Sequence, residues 1–411
     1  MRIVRDRMKR RPAPETRADA VRAIIDEVRR DGDAAVIRLT GRFDGVEIGQ
    51  GSLRVDPHEV RAAVDALEAE LLAGLRAAIE NVRHVAEAQL REPTAVELPD
   101  GQRVKVSEVP VRRAGIYVPG GRAPYPSTVV MGAVAARVAG VPQVAVCAPP
   151  GRDGRLHPVT LAACALCDVV GEVYRMGGAQ AIAAFAHGTE SVRPMDVIVG
   201  PGNAWVTEAK RQVFGEVGID GLAGPSELAV LASPGADPEL IALDLLAQAE
   251  HGEDSPLWLV STDAELGEEV VAAVERLAPE RPSATDAELM VVPARDLQQA
   301  LRFVDMIAPE HLQLVGDHAE RLAGSVMRAG CIFVGAGAAT AFGDYVAGSN
   351  HVLPTGGAAR FASGLGVSTF RRRMAHVSLP GEAPARLAPA GAALARAEGF
   401  PVHAESMERR A

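Results

Sequence analysis

Three short stretches carry side chains that could bind a metal ion or move a proton. In the first, "LLAQAEHG", Gln248 and His251 stand three residues apart at the end of a helical pattern that begins at Asp237-Pro238. Residues at this spacing lie on one face of a helix, so both could reach the same ligand. A histidine and an amide oxygen form a weak metal pair by themselves, and a histidine at a helix end also fits contacts with the last carbonyls. A metal site and a helix cap both remain open.

The second stretch, "IAPEHLQL", places Glu310 beside His311. Pro309 at a first helical position predicts that both residues lie in the opening turn of a short helix. The positive end of the helix dipole would keep Glu310 ionised and His311 neutral, which are the forms that a general base needs. The pair also fits a structural role.

The third stretch, "FGDYVAGSNHVLPTGG", contains Asp344, Asn350 and His351. Its glycine content predicts an irregular segment rather than a helix or strand. Irregular segments that hold Asp and His are better candidates for a site than regular ones. A functional and a structural reading are equally open here.

Alternating strands, glycine-containing loops and helices should position these residues. The pattern runs from Ala114 to about residue 225 and resumes at "ELAVLAS", which predicts two parallel sheets with right-handed crossovers. We therefore expect an α/β fold with two doubly wound, incomplete Rossmann-like domains, an N-terminal helical segment and a C-terminal tail. The helical patterns of residues 16–95 should complete the second sheet domain. The expected units are an arm at 1–14, the first sheet domain at 115–226, the second at 15–114 with 227–363, and the tail at 364–411.

The loops of the first sheet domain place three polar residues at strand ends, where ligands of parallel sheets collect. These are Tyr117 in "IYVPGG", Gln180 in "GGAQ" and Asn203 in "GPGN". Glycines allow close backbone approach, and helix starts favour phosphate. Because no strand is followed by G-x-G-x-x-G and a convincing helix, a nucleotide site and ordinary turns both remain open.

Composition limits the partners. The net charge of −10 argues against nucleic acid, and no apolar run reaches the roughly 18 residues of a membrane helix. The N-terminus is basic but lacks the apolar core of a secretory signal. We expect a cytoplasmic protein that binds neither nucleic acid nor membrane.

Long motifs in a fixed order resemble one enzyme family. They are "YVPGGRAPYPS", "GGAQAIAA", "GPGNAWVTEAKRQV", "AGPSEL", "LLAQAEHG", "APEHLQL", "GDYVAGSNHVLPTGGAARF" and "EGFPVH". In this respect the chain, from about Ala18 to His403, closely resembles the histidinol dehydrogenase family. The resemblance implies one Zn²⁺ per subunit and NAD as cofactors. It assigns the cofactor to residues 115–226 and the metal and catalysis to the second sheet domain.

The resemblance also implies a role for individual residues. Glu310 and His311 match the catalytic pair, with His311 taking the hydroxyl proton and Glu310 activating water. Tyr117, Gln180 and Asn203 match the NAD contacts, and the matched zinc ligands are Gln248, His251, Asp344 and His403. The matched substrate contacts are Ser226, Gln248, His251, His311, Asp344, His351, Glu398 and His403.

The implied reaction is the four-electron oxidation of L-histidinol through bound L-histidinal to L-histidine, in histidine biosynthesis. The implied assembly is a homodimer in which the tail crosses to the partner subunit and completes a shared active site. A related zinc- and NAD-dependent dehydrogenase for another polar alcohol is the first alternative. The second is a metal- or nucleotide-binding protein, against which the Glu310-His311 pair argues, because pure binding needs no paired base.

Overall fold

The chain forms fourteen strands and fourteen α-helices across the residues that the computed structural model describes, which are 1–4, 17–49, 51–120, 123–284 and 286–411. The strands are β1 (Arg2–Val4), β2 (Thr94–Glu97), β3 (Arg103–Pro110), β4 (Arg113–Tyr117), β5 (Gln143–Ala148), β6 (Val173–Arg175), β7 (Val197–Val199), β8 (Gly218–Ile219), β9 (Leu228–Ala232), β10 (Leu257–Ser261), β11 (Glu288–Pro293), β12 (His311–Val315), β13 (Cys331–Val334) and β14 (Arg371–Ser378). The helices are α1 (Ala18–Asp44), α2 (Pro57–Ala62), α3 (Ala69–Ala88), α4 (Pro126–Val138), α5 (Pro158–Leu166), α6 (Gly178–His187), α7 (Ala204–Val213), α8 (Pro238–Ala249), α9 (Ala264–Leu277), α10 (Leu297–Ile307), α11 (Asp317–Glu320), α12 (Thr340–Tyr345), α13 (Ala383–Ala397) and α14 (Pro401–Glu408).

Two parallel sheets organise the molecule, as the alternating pattern predicts. The first has the order β6-β5-β4-β7-β8, and the second has the order β1-β11-β10-β9-β12-β13. Counted from β4 and from β9, the five consecutive strands of each sheet lie in the same order, 3-2-1-4-5. The strands β4 and β9 are buried along their whole length, because helices cover both faces of each sheet. The predicted α/β fold with two doubly wound sheets is confirmed.

The N-terminal helices pack on the first sheet domain, and the expectation that they complete the second is wrong. Helix α1 contacts α6 and α7, α2 contacts α5, and α3 contacts α4. The apolar face of α1, which includes Val21 and Ile25, belongs to the same hydrophobic cluster as Ile182 and Phe185 of α6. Of the described residues before β2, only strand β1 joins the second sheet, where it pairs with β11. Most of the expected arm, residues 5–14, lies outside the described residues.

A third, antiparallel sheet has the order β14-β3-β2 and joins the start of the tail to the segment before β4. Beyond it, α13 and α14 pack on each other around Ala392, Ala395 and Ala404. The sequence predicts neither these strands nor the small apolar cluster of the tail. Within the described ranges, no helix is long and apolar enough to cross a membrane.

Candidate active site and cofactor cleft

Glu310 and His311 lie at the amino end of β12, and the prediction that they open a helix is wrong. Helix α10 ends before them, and Ala308 takes a left-handed conformation with φ of 47°. The chain then extends, because the backbone amide of His311 bonds to the Glu227 carbonyl and the Glu310 carbonyl accepts the amide of Cys331. Both residues are therefore fixed by strand pairing with β9 and β13.

The carboxylate of Glu310 is held by neighbours from the segment that leads into β9. The Ser226 hydroxyl donates to Oε2 of Glu310 at 2.6 Å, and the backbone amide of Glu227 donates to the same oxygen at 2.8 Å. The side-chain amide of Gln248 in turn donates to the Ser226 oxygen at 2.7 Å. Glu310 is only 5% exposed, so these donors replace water around its charge.

His311 points one ring nitrogen at the backbone and the other towards Asp344. Its Nδ1 lies 2.9 Å from the carbonyl oxygen of Glu227, and its Nε2 lies 4.0 Å from Oδ1 of Asp344. Burial lowers the pKa of His311, but the hydrogen bond and charge of Glu310, together with the charge of Asp344, outweigh burial and raise the pKa to about 9. The helix start expected to keep His311 neutral is absent, since His311 begins a strand, and the negative charge around the ring favours the imidazolium.

Three of the four residues matched to zinc ligands lie on the body of the chain. Gln248 is buried on α8, Asp344 is half-buried on α12, and His251 follows α8 at an exposed position. The two helices α8 and α12 are in contact. Asp344 belongs to a short helix, so the irregular segment predicted from "FGDY" begins only after Tyr345.

The fourth residue, His403, and the matched substrate contact Glu398 lie elsewhere. Both are exposed on the α13–α14 hairpin, where the centroid of the His403 ring lies 5.2 Å from that of Phe400 with the rings tilted by 55°. No hydrogen bond or ion pair within the described ranges joins either residue to the Glu310-His311 site. Over the same ranges, no three His, Cys, Asp or Glu residues form a group that could hold a metal ion.

His351 and Asn350 lie where the two sheet domains meet. Nδ1 of His351 lies 2.9 Å from the carbonyl oxygen of Asp344, and Nε2 lies 3.4 Å from the Thr128 hydroxyl on α4. The Asn350 amide donates to the carbonyl of Met131 in the same helix. Burial lowers the pKa of His351, against the opposing effect of Asp344. These contacts bring His351 to the Asp344 side of the site.

Tyr117, Gln180 and Asn203 line one cleft of about 770 Å³ at the carboxyl ends of the first sheet's strands. The Gly178 amide donates to the Tyr117 hydroxyl at 3.2 Å, and Oδ1 of Asn203 caps α7 by accepting from two backbone amides. The side-chain nitrogen of Gln180 and Oδ2 of Asp44, which also lines the cleft, are buried and have no hydrogen-bond partner among the described residues. The cleft thus has the size of a ligand site and offers both a donor and an acceptor.

A buried ion pair shapes the "GPGN" loop of this cleft. Lys210 donates to Asp220 and, at 3.0 Å, to the carbonyl of Gly200, while Asp220 accepts the Gly200 amide at 2.7 Å. Gly200 has φ of 114°, and a Cβ there would lie 2.1 Å from the carbonyl oxygen of Tyr117. Only glycine allows the loop to pass this close to β4.

Three residues that the structure places in these sites are not predicted from the sequence. Glu227 contacts both Glu310 and His311, Asp44 lines the cleft, and Lys210 holds its loop. A carboxyl heading the apolar strand "ELAVLA" is a signal that could have identified Glu227. Asp44 and Lys210 lie in helical patterns where a charged residue normally faces solvent, so their sequence carries no comparable signal.

The molecule has two parallel sheets with the same strand order. One sheet carries a buried acid–histidine pair, and the other carries a polar cleft. These features define a two-domain α/β enzyme. The histidinol dehydrogenase family model matches residues 8–411. The chain belongs to this family of oxidoreductases.

Individual relatives agree over nearly the whole length. Histidinol dehydrogenase from Gluconobacter oxydans (strain 621H) is 44% identical over 399 residues, which cover 96% of this chain and 92% of the relative. The enzyme of that name from Cereibacter sphaeroides is 45% identical over 410 residues, with coverages of 98% and 94%. The crystal structure of histidinol dehydrogenase from Elizabethkingia anophelis is similar with a TM-score of 0.93 at 30% identity, covering 100% of this chain and 98% of that one.

Proposed function

We propose that this chain oxidises L-histidinol to L-histidine in two successive hydride transfers to NAD⁺, with L-histidinal held between them. The observation that carries the proposal is a buried set of contacts: Ser226 donates to Oε2 of Glu310, and the same oxygen lies 3.4 Å from Nδ1 of His311. Gln248 and Asp344 lie beside this set. An alcohol oxidation needs a group that accepts the hydroxyl proton, and an aldehyde oxidation needs water activated on the carbonyl carbon. A histidine and a carboxylate in contact can divide these two tasks.

His311 is proposed as the base that takes the hydroxyl proton while hydride leaves the carbon for NAD⁺. The Glu227 carbonyl accepts from Nδ1, so Nε2 is the nitrogen that faces the Asp344 side of the site. Against the effect of burial, the hydrogen bond and charge of Glu310, and after them the charge of Asp344, raise the pKa of His311, so a cation bound at Asp344 would lower that pKa and favour the neutral ring that a base requires. Glu310 is proposed to take a proton from water as it adds to the aldehyde, which gives the hydrate that loses the second hydride.

NAD is proposed to bind in the cleft lined by Tyr117, Gln180 and Asn203, where it would accept the hydride. The fit rests on two buried polar atoms, on Gln180 and Asp44, that no described residue bonds, since a ligand with both donors and acceptors would complete their bonding. The start of α7 lies beside the cleft and favours a phosphate. The family's name as a dehydrogenase agrees with a nicotinamide acceptor.

Zn²⁺ is proposed to bind Gln248, His251, Asp344 and a fourth ligand, His403. The chemistry of the donor set fits this ion, which accepts imidazole nitrogen together with carboxylate and amide oxygen. Gln248 uses its nitrogen to bond Ser226, which leaves its carbonyl oxygen for a metal. Bound there, Zn²⁺ would hold and orient the substrate, since it has no redox chemistry. A chelator should abolish turnover but leave NAD binding intact, and loss of both together would contradict the separation of the sites.

We propose that the fourth ligand comes from a second subunit of a homodimer. His403 and Glu398 are exposed on the α13–α14 hairpin, together with Leu394, Phe400 and Val402, of which the last is 72% exposed. An apolar surface of this kind favours a partner surface. A hairpin that crosses to the partner would bring His403 to its metal site and Glu398 to the substrate's ammonium group.

The test of the proposed function is direct. Purified protein loaded with Zn²⁺ should release NADH when given L-histidinol and NAD⁺. L-Histidinal should also be oxidised, and simple alcohols without an imidazole and an amine should not be. Turnover of another polar alcohol in preference to L-histidinol would contradict the proposed substrate.

A further inference from the structure

We propose that Glu227 is the positioning residue that fixes the Glu310-His311 pair and joins it to the loop that carries His351. This inference rests on the proposed oxidation of L-histidinol. Glu227 directly precedes β9 and is only 7% exposed. Its carboxylate contacts backbone amides rather than solvent, so we infer its function from the segments that these amides belong to.

Glu227 and Glu310 bind each other reciprocally. The Glu310 amide donates to Oε2 of Glu227 at 3.3 Å, and the Glu227 amide donates to Oε2 of Glu310 at 2.8 Å. The carbonyl of Glu227 accepts from the backbone amide of His311 and from its ring Nδ1. One residue thereby sets the position of the Glu310 main chain, the direction of its carboxylate and the orientation of the His311 ring.

The second carboxylate oxygen reaches the glycine-rich loop after His351. The Gly356 amide donates to Oε1 of Glu227 at 3.0 Å, and the neighbouring Thr355 hydroxyl accepts the Gly224 amide. The loop is thus tied at two adjacent points to the segment that leads into β9. Because His351 bonds the Asp344 carbonyl, the Glu227 carboxylate connects the catalytic pair with the segment that bears Asp344.

A carboxylate is the side chain suited to this place. It offers two acceptor oxygens and no donor when ionised, and both of its partners are backbone amides. An amide side chain would turn its nitrogen towards one of them. Burial, and less strongly the charge of Glu310, raise the pKa of Glu227 to about 7 against the hydrogen bond from Gly356. Burying the Glu227 carboxyl beside that of Glu310 is unfavourable, so the hydrogen bonds from the Glu310 and Gly356 amides must offset that cost.

The experiment compares Glu227→Ala with Glu227→Gln and with a control, Asp244→Asn. Asp244 is also a buried acid, and it accepts the Gln313 amide two residues beyond His311 on β12. Glu227→Ala should lower kcat of both oxidations by about 10²-fold, the usual cost of a small misplacement, and leave KM for NAD⁺ unchanged. Glu227→Gln keeps one acceptor oxygen and should recover part of kcat. Asp244→Asn should stay near the wild type.

Amide hydrogen exchange gives a readout that does not depend on turnover. Glu227→Ala should speed exchange in peptides that contain Glu310 and Gly356, and Asp244→Asn should not. The inference is overturned if Glu227→Ala leaves both exchange and kcat at the level of the control, or if its losses fall on KM for NAD⁺. It is equally overturned if Glu227→Gln is no better than Ala. If the variants differ in exchange as expected but the wild type releases no NADH from L-histidinol, the proposed function is refuted and the positioning role of Glu227 is not.

Discussion

The hydroxyl of Ser226 donates a 2.6 Å hydrogen bond to Oε2 of Glu310. Ser226 also accepts from Gln248, which is proposed to bind zinc through its other amide atom. The carboxylate that is proposed to activate water and the proposed metal ligand therefore share a neighbour. The His311 ring bonds a different group, the Glu227 carbonyl. Because Glu310 and His311 have different hydrogen-bond partners, their proposed roles can be tested separately.

The roles proposed for Glu310 and His311 should be distinguishable by substitution. Glu310→Gln should slow the oxidation of L-histidinal far more than that of L-histidinol, because only the aldehyde step consumes water. His311→Asn should slow both steps by roughly 10²–10⁴-fold, the usual loss for a general base. Single-turnover NADH formation from each substrate measures the two steps. Equal losses at both steps for Glu310→Gln would remove the division of roles.

Lys210→Met should weaken NAD⁺ binding. Without Lys210, Asp220 is left as a buried charge and the Gly200 carbonyl loses its donor, so the "GPGN" loop should relax. Breaking a buried pair in this way typically costs about 3–5 kcal/mol of unfolding free energy. We expect a raised KM for NAD⁺ with an unchanged KM for L-histidinol. Lys105→Met, on an exposed strand position, is the matched control, and identical KM values in both variants would contradict the role of the pair.

The sequence predicts much of the fold because strand, glycine loop and helix alternate wherever a parallel sheet is built. It predicts for the same reason that Tyr117, Gln180 and Asn203 lie together, since they follow strands of the first sheet and line one cleft. The rule fails for the catalytic set, because Glu227 and His311 lie at the amino ends of β9 and β12. Ligands are expected at the opposite edge of such a sheet.

Other errors arise because local patterns do not contain tertiary partners. The apolar stripe of α1 indicates a buried face but not which sheet covers it. Pro309 fits a helix start as well as an extended segment, and only the bond from the His311 amide to the Glu227 carbonyl decides between them. Strand β14 contains three consecutive arginines, so its pairing with β3 depends on backbone register rather than on an apolar pattern.

The pH dependence of stability should report on Glu227. Its pKa rises from the usual 4.5 to about 7 on folding. Below pH 4.5 the carboxyl is protonated in both states, and above pH 7 it is ionised in both, so folding loses stability between these values. The unfolding free energy of the wild type minus that of Glu227→Gln should fall by on the order of 1–3 kcal/mol from pH 4.5 to 7 and then level off. Urea denaturation at fixed protein concentration measures it, and a constant difference would contradict the raised pKa.

Subunit mixing tests the crossed hairpin. The His403→Ala variant keeps His251 but lacks the hairpin ligand. The His251→Ala variant keeps His403 but lacks the ligand that follows α8. Each variant should therefore be inactive alone. After full exchange, half of the dimers are mixed, and one of their two sites combines an intact body with an intact hairpin. Activity should return to about a quarter of the wild-type level. Fully exchanged mixtures that stay inactive would show that His403 does not complete a partner's site.

The ratio of NADH formed to L-histidinol consumed tests the central proposal most directly. With limiting L-histidinol and excess NAD⁺, one site that performs both oxidations should give two NADH and one L-histidine per substrate, with little free aldehyde at any time. A ratio of one, with L-histidinal accumulating in solution, would contradict the four-electron reaction and the proposed role of Glu310.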